Sequence, residues 1–172
     1  RDFSIRYKDA ENALFENFSF EIKQGERVFL NGNNGCGKSS LIKAILGKTE
    51  NMELCGSFTV APNLVISYIN QDTSFLHGNI KDFCRERSLD ESLFCAILRQ
   101  LDMERVQFVK NMEDYSEGQK KKVLIAASLM TSAHLYIWDE PLNYIDVFSR
   151  MQIEKLLETY APTMLIVEHD VR

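Results

Sequence analysis

The residues with the clearest chemical potential form a glycine-rich stretch, GNNGCGKS, at positions 32–39. An apolar run, ERVFLN (26–31), precedes it, and apolar residues at helical spacing follow from Ser39 to Leu46. A G-x-x-x-x-G-K-[ST] loop between a strand and a helix binds phosphate through consecutive backbone N–H groups. Glycines leave room for the phosphate oxygens, and the positive end of the following helix attracts the anion. The stretch therefore predicts a site for the phosphates of a nucleotide.

Two residues of this loop have distinct predicted roles. Lys38 would reach the β- and γ-phosphates, and the hydroxyl of Ser39 would ligate Mg²⁺. The alternative interpretation is a flexible Gly/Asn turn before a structural helix, but the strand–loop–helix context favours phosphate binding. The residues predicted to bind the nucleotide here are Gly32, Asn33, Asn34, Gly35, Cys36, Gly37, Lys38, Ser39 and Ser40.

A second group of polar residues ends a predicted buried strand, in LYIWDEP (135–141). Asp139 is placed to hold the magnesium shell, and Glu140 to polarise the water that attacks the γ-phosphate. The alternative is that Asp139 only caps a turn and Pro141 ends the strand. Beside the glycine-rich loop, the pair predicts a site that hydrolyses a nucleoside triphosphate.

The segment YSEGQ (115–119) marks a helix start that could also bind an anion. Ser116 and Gln119 fit the capping-box pattern S-x-x-Q, so the purely structural interpretation is that Ser116 only begins a helix. A helix N-terminus with the small Gly118 is also a second anion site. One nucleotide does not easily use two such sites in one small domain. Two domains that face head to tail could each complete the other's site.

Composition and charge restrict the class of protein. The 172 residues fit one domain with a hydrophobic core, and the net charge of −5 lacks the basic footprint of a domain that binds naked nucleic acid. The four cysteines show neither metal nor redox spacing, which indicates a reduced, cytosolic protein. No apolar run approaches the length of a membrane span. Both ends of the sequence, Arg1 and Arg172, look like cuts inside a longer protein.

Hydrophobic periodicity predicts the elements that position these residues. Strands alternating with helices predict an α/β fold of the P-loop NTPase type, with a mainly parallel sheet and flanking helices. An antiparallel β patch near the N-terminus and a helical subdomain inserted at about 78–131 complete a single domain over 1–172. Strands are expected at 3–7, 17–22, 26–31, 56–60, 64–69, 134–139 and 163–168, and helices at 39–46, within 80–110, from the cap Asp90, at 117–130 and at 147–160.

This set of motifs resembles the ATP-binding cassette (ABC) ATPases, in matching order and over essentially the whole chain. Besides the loop and the DE strand, the family-like segments are YSEGQ, YINQD with Gln71, LNYID ending at Asp146, and VEHD with His169. Tyr7 lies where such domains carry an aromatic residue that stacks on adenine. The resemblance implies ATP as the nucleotide, with Mg²⁺.

The resemblance also implies roles for residues that are unremarkable alone. Gln71 would sense Mg²⁺ and the attacking water, and His169 would contact the γ-phosphate. Without the resemblance, Tyr7 would be interpreted as a core aromatic residue, Gln71 as an ordinary loop residue and His169 as a structural histidine. Ser116 and Gly118 would contact the γ-phosphate of ATP held by a partner domain. Gln119 and Asp146 are also implied to be cofactor-binding residues.

Two departures from the family pattern bear on activity. Glu117 stands where the commonest signature has glycine, and it brings a negative charge near the expected phosphate. We expect its side chain to point away, and the hydrolysis rate stays open. The C-terminal elements that follow the family's switch histidine are also missing after Arg172.

The run DEPLNYID (139–146) is similar to the D-E-P-x-N-x-x-D run of the ABC-F family, soluble proteins with two cassettes that act on the ribosome. Those proteins more often have histidine where this chain has Tyr144, and the tyrosine resembles the second cassette of the antibiotic-resistance branch. The segment from Gln71 to Ser116, where transporter cassettes contact their membrane subunits, is shorter than we expect of a transporter.

Three hypotheses follow. The first is a cytoplasmic ABC-F ATPase cassette that pairs with a sister cassette, in the same chain or as a homodimer, and acts on the ribosome. The second is the ATPase subunit of an ABC transporter, with a membrane partner. The third is a cassette that binds ATP without hydrolysing it, against which Glu140 argues. Because the signature must come from another domain, the isolated chain should bind ATP and hydrolyse it weakly or not at all.

Overall fold

The computed structural model describes residues 2–33 and 35–169, which form two sheets with helices between and around them. Asn34 and the terminal residues 1 and 170–172 lie outside the described residues. The strands are β1 (Phe3–Tyr7), β2 (Phe15–Phe18), β3 (Arg27–Gly32), β4 (Met52–Cys55), β5 (Ile66–Ile69), β6 (Leu135–Asp139) and β7 (Met164–His169).

Five α-helices and two short 3₁₀ helices complete the described part. The segment between β5 and β6 is helical, as expected from its 3.6-residue periodicity. Within residues 2–33 and 35–169, no helix combines the length and the apolar character needed to cross a membrane. The helices are α1 (Lys38–Ile45), α2 (Ile80–Glu86), α3 (Glu91–Gln100), α4 (Glu117–Met130) and α5 (Val147–Tyr160), with 3₁₀ turns at Arg105–Val109 and Met112–Asp114.

The larger sheet has the strand order β3-β7-β6-β5, and all of its pairs are parallel. Parallel strands place their carboxyl ends at one edge, where loops can bring functional residues together. Gly32 pairs with His169, and Asp139 pairs with Val167, so the glycine-rich loop and the DE pair leave the same edge. The smaller sheet, β2-β1-β4, is antiparallel. The predicted α/β fold with a mainly parallel sheet is therefore confirmed.

The inner strand β7 of the larger sheet buries side chains on both faces. On β7, Leu165 and Val167 face a core shared with α1 and the small sheet. Met164 and Ile166 face the other core, formed with α2, α3, α4 and α5. This period-two alternation follows from strand geometry, and it places α1 and α4 on opposite sides of the sheet.

One predicted strand is wrong. The sequence favoured a strand at 56–60, but the structure has β4 at Met52–Cys55 and no strand at 56–60. Gly56 adopts a left-handed φ of 90°, which ends the extended run. Phe58 instead packs its ring on Phe3, with ring centroids 5.0 Å apart. The predicted strand at 17–22 is likewise shifted toward the N-terminus, to Phe15–Phe18.

Candidate functional site: a phosphate-binding loop beside two buried carboxylates

The glycine-rich loop joins the end of β3 to the start of α1. Gly37 caps α1 with a left-handed φ of 95°, a conformation that side-chain-bearing residues rarely adopt. A Cβ at Gly32 would lie 2.8 Å from Cys36 Sγ, so a larger residue there would require the Cys36 side chain to move. α1 begins at Lys38, directly after the loop, so the N–H groups of its first turn lie at the N-terminal end that an anion site requires.

Lys38 places its ammonium inside this loop. The side chain is buried, and Nζ donates hydrogen bonds to the carbonyl oxygens of Gly32 and, at 3.0 Å, Asn33. Ser39 follows in the first turn with an exposed side chain. Ser40 is buried and shares a 2.9 Å hydrogen bond with the hydroxyl of Tyr7. The loop therefore has a cation and a hydroxyl at the positions that phosphate and Mg²⁺ binding need.

Asp139 and Glu140 lie at the end of β6 and are 4% and 7% exposed. The amide Nε2 of Gln71 donates to Asp139 Oδ1 and to Glu140 Oε1, each at 3.1 Å. Gln71, which the sequence linked to this pair only through the family resemblance, therefore contacts both carboxylates. The structure brings the three residues together, and their catalytic roles remain proposals.

Burial affects the protonation equilibrium of Asp139. The pKa of Asp139 is raised because burial disfavours the carboxylate, and the nearby Glu140 adds to this effect. The hydrogen bond from Gln71 and the charges of Lys121 and Lys38 oppose it. A buried carboxylate beside a hydroxyl-bearing loop suits Mg²⁺, which binds oxygen ligands and usually keeps one or two carboxylates with water and phosphate. In the described part of the chain, no group of three His, Cys, Asp or Glu side chains forms a separate metal site.

Glu140 also has an unusual backbone. Its φ of 51° is left-handed, which costs free energy for a residue with a Cβ. Asn143 Nδ2 donates a 2.5 Å hydrogen bond to Glu140 Oε2, and Glu140 N donates to the Val167 carbonyl. Such strain persists where the surroundings determine the conformation, and it is common at functional sites.

The predicted capping box starts α4. Ser116 Oγ accepts from Gln119 N at 3.2 Å, and Gln119 Oε1 accepts from Ser116 N at 3.0 Å. A Cβ at Gly118 would lie 2.4 Å from the carbonyl oxygen of Tyr144, so the chain needs glycine there for close packing. Gln119, predicted to bind nucleotide, uses its side chain within this cap.

Asp146 begins α5 and is bonded within the chain. Its carboxylate accepts from Ser149 N and Oγ at 2.8 and 2.7 Å, and it pairs with Lys122 Nζ at 3.2 Å. These hydrogen bonds, first that of the Ser149 side chain, hold the pKa of Asp146 well below its usual range. Lys122 therefore joins the start of α5 to α4, a contact that the sequence did not predict.

Two more charged side chains on α4 have defined surroundings, of which sequence reasoning singled out Glu117 and missed Lys121. Lys121 is buried on α4, where desolvation lowers its pKa and the charges of Asp139 and Glu140 oppose the shift. Glu117, at the unusual signature position, accepts a 2.7 Å hydrogen bond from Thr73 Oγ1 and pairs with Lys120 at 3.5 Å. The hydrogen bond from Thr73 is the main cause that lowers the pKa of Glu117.

Two predicted site residues lie wholly or partly outside the described residues, and a third, Tyr7, is described in full. Asn34 lies outside the described residues, and the side chain of His169 is likewise outside them, although its backbone pairs with Gly32 in β7. Tyr7 is half-buried, packs against the core around α1, and bonds Ser40 through its hydroxyl. Its contact with adenine remains a prediction.

A phosphate loop, a strand ending in two buried carboxylates and a glycine-bearing helix start together define a nucleotide-hydrolysing P-loop domain. The family model described as "ABC transporter" matches residues 15–143. The chain belongs to the ABC transporter family, and it is an ATPase cassette.

Individual relatives and solved structures agree with this membership. The chain is 34% identical to the ATP-binding protein Uup of Buchnera aphidicola subsp. Acyrthosiphon pisum, over 98% of the chain and 29% of that protein. It is 33% identical to the ribosome protection protein VmlR of Bacillus subtilis, over 93% of the chain and 29% of that protein. The putative ABC transporter ATP-binding protein from Pyrococcus furiosus shares the fold, with a TM-score of 0.77 at 20% identity, covering 100% of this chain and 90% of that one.

The curated relatives most similar to the chain include members of the ABC-F group, and the expected resemblance to that group is confirmed. The chain spans about 29% of the length of these relatives. It therefore corresponds to one cassette of such proteins.

Proposed function

We propose that this ATPase cassette closes head to tail on a sister cassette, and that closure controls the time its protein spends on the ribosome. The observation that carries the proposal is the 33% identity to the ribosome protection protein VmlR over 93% of the chain. The run DEPLNYID supports the same group. Under this proposal the protein acts in the cytoplasm, and antibiotic resistance is the specific role to test.

The glycine-rich loop binds the phosphates of ATP in this proposal. Lys38 Nζ, which now bonds the Gly32 and Asn33 carbonyls, would exchange these for phosphate oxygens. The hydroxyl of Ser39 and the carboxylate of Asp139 would hold Mg²⁺, which neutralises phosphate charge when bound. Tyr7 would stack on adenine. Gly35 and Gly37 keep the loop open through their left-handed φ values of 81° and 95°.

Glu140 carries the hydrolytic step. Its carboxylate would accept a proton from the attacking water, and Gln71 holds it beside Asp139 through the two 3.1 Å hydrogen bonds. His169, at the end of β7 and in register with Gly32, would contact the γ-phosphate. The common edge of the parallel sheet at which β3, β6 and β7 end supports these roles.

The start of α4 would serve the partner's nucleotide. Ser116 and Gly118 would contact the γ-phosphate held by the sister cassette, because a helix N-terminus favours an anion. Gln119 and Asp146 would support this surface by capping α4 and α5. The segment 78–131 would form the helical subdomain within a single nucleotide-binding domain over 1–172. ATP then acts as a ligand that favours the closed state by its differential affinity, and hydrolysis releases it.

The catalytic role is tested with Glu140→Gln in the full-length protein. Because this change keeps the shape and removes the base, ATP turnover should fall by at least about 100-fold while ATP binding persists. Glu158→Gln, the same change at an exposed position of α5, is the matched control and should leave turnover unaltered. Turnover that survives Glu140→Gln would contradict the role of Glu140.

The partner is tested by sedimentation of the Glu140→Gln protein in a cell lysate with ATP. Trapped in the closed state, it should sediment with ribosomes. Adding Lys38→Ala should abolish this association, since the double variant cannot hold the phosphates. Fractionation of the trapped protein with membranes would reject the ribosomal proposal and support the transporter alternative.

A further inference from the structure

The loop after β5 contacts two separate parts of the site through residues two positions apart. Gln71 donates to Asp139 and Glu140 at 3.1 Å each. Thr73 is 4% exposed, and its hydroxyl donates a 2.7 Å hydrogen bond to Glu117 Oε2 at the start of α4. One short segment therefore links the hydrolytic carboxylates to the signature turn.

This segment is held together by its own hydrogen bonds. Asp72 N donates to Asn70 Oδ1 at 3.4 Å, and Ser74 N donates to Asp72 Oδ1 at 2.9 Å. Leu76 N donates to the Thr73 carbonyl at 3.1 Å. Such side-chain and backbone turns restrict the loop. We therefore expect a displacement of Gln71 to shift Thr73 as well.

Glu117 is the first residue of α4 and lies between Ser116 and Gly118. Its carboxylate turns to Thr73 and to Lys120, the latter at 3.5 Å. A hydrogen bond from a hydroxyl to a carboxylate is charge-assisted and stronger than a neutral one. Thr73 has its side chain buried, so its hydroxyl depends on this partner.

We propose that Glu117 is a positioning residue, which ties the start of α4 to the Gln71 loop and so couples the chain's own hydrolytic site to the surface offered to the sister cassette. This inference rests on the proposed head-to-tail function. The alternative is that Glu117 acts by charge, repelling the partner's phosphates and slowing turnover. The two roles predict different results when the charge alone is removed by Glu117→Gln: turnover near the wild-type value for positioning, and faster turnover for repulsion.

The test measures kcat and KM for ATP in the full-length protein. Thr73→Val removes the donor with little change in shape, and Glu117→Ala removes the acceptor. Each should lower kcat by about fivefold, the usual range for one coupled contact, while KM changes less than about twofold. The double variant should be no slower than either single variant, since both remove the same hydrogen bond.

Conservative variants separate positioning from charge and from misfolding. Thr73→Ser keeps the hydroxyl, and Glu117→Gln keeps an acceptor oxygen without the charge. Both should restore kcat to near the wild-type value, and all variants should melt within a few degrees of the wild type. Thr73→Val keeps the test valid even if Glu117→Ala fails to fold.

Several outcomes would overturn the inference. Faster turnover in both Glu117→Gln and Glu117→Ala would assign Glu117 a repulsive role instead. Additive losses in the double variant would show that Thr73 and Glu117 act separately. A wild-type protein whose turnover is absent, or indifferent to Glu140→Gln, would instead refute the proposed function on which the inference rests.

Discussion

At the scale of single residues, the surroundings shift the pKa values of two carboxylates, Asp139 and Asp146, in opposite directions. Burial at the end of β6 raises the pKa of Asp139, so the fold disfavours its charge. Hydrogen bonds from Ser149 and the Lys122 ion pair lower the pKa of Asp146, so the fold favours its charge. Both residues belong to the proposed ATP machinery, and of the two only the charged form of Asp139 reduces the stability of the folded chain.

Asp139→Asn should therefore stabilise the ligand-free chain. At pH 7 the free energy of unfolding should rise by about 0.5–2 kcal/mol, the usual range of stabilising single changes. Asp139 binds its proton more tightly in the folded chain than in the unfolded chain. Its charged form therefore lowers the free energy of unfolding, and this loss is complete above the raised pKa. The gain should shrink as the pH falls from the raised pKa toward 3.8, the ordinary value, below which both states are protonated. Urea unfolding at several pH values measures this.

Asp146→Asn is the matched control and should have the opposite sign. Its charged form is stabilised in the folded chain, so the stability that it contributes is present above the ordinary pKa and is lost as the pH falls through the lowered one. At pH 7 this variant should unfold more easily than the wild type. Destabilisation by Asp139→Asn would contradict the burial argument.

At the scale of elements, α4 and α3 begin in the same way but lie in different surroundings. Ser116 caps α4 by accepting from Gln119 N at 3.2 Å, and Asp90 caps α3 by accepting from Leu93 N at 2.7 Å. Only the start of α4 is proposed to face a second nucleotide. Comparing the caps of α4 and α3 therefore separates the effect of an N-cap on stability from its effect on ATP turnover.

Ser116→Ala and Asp90→Ala should each lower the free energy of unfolding by about 1 kcal/mol, because each loses one N-cap hydrogen bond. Ser116→Ala should also lower turnover of the full-length protein, whereas Asp90→Ala should leave it near the wild-type value. Thermal unfolding and steady-state ATP hydrolysis measure the two effects. Equal losses of ATP turnover in the two variants would show that Ser116 acts only as a structural cap.

The boundaries of α4 and α5 and the Ser116 capping box could be predicted because their signals are local. Hydrophobic spacing and caps lie within one or two turns of the chain. The strand at 56–60 was predicted wrongly because β4 is defined by pairing with β1, in the register Tyr7 with Met52. A sheet partner that is distant in sequence selects which of two adjacent extended runs becomes the strand.

The site was only partly predictable for the same reason. Motif residues such as Lys38 and Asp139 could be named from short patterns, but the bond from Thr73 to Glu117 joins two segments 44 residues apart. The run of three lysines at 120–122 reads as a solvated surface, yet Lys121 and Lys122 are buried. Successive helical residues point about 100° apart, so three in a row must face different neighbours.

At the scale of the whole molecule, an apolar stripe extends from the segment after β6 onto α5. Val147, Phe148 and Met151 are exposed on one face of α5, and Tyr144 is exposed in the turn that precedes this helix. The stripe is continuous with Asp146 and with the Tyr144 carbonyl that packs against Gly118. Exposed apolar surface of this kind marks an interaction site. In the proposed closed state the sister cassette covers it.

Val147→Glu in the full-length protein should therefore lower ATP turnover by about tenfold, since a buried unpaired charge opposes closure. Val147 is 74% exposed in the separate chain, so the melting temperature of that chain should stay the same. Val109→Glu is the matched control, because Val109 is 84% exposed but lies in the 3₁₀ turn Arg105–Val109. Similar turnover losses in both variants would argue against the stripe as the interface.

The thiol of Cys36 has a consequence for chemical modification. Cys36 is exposed within the glycine-rich loop, and its Sγ lies 3.9 Å from Lys38 Nζ. If the loop binds phosphate as proposed, an alkylating group attached there would occupy part of the same space, so modification and ATP should exclude each other. Cys55, also exposed but on β4, provides an internal reference. Mass spectrometry should find that ATP slows the alkylation of Cys36 and not that of Cys55, which would make the native protein a reporter of its own nucleotide occupancy.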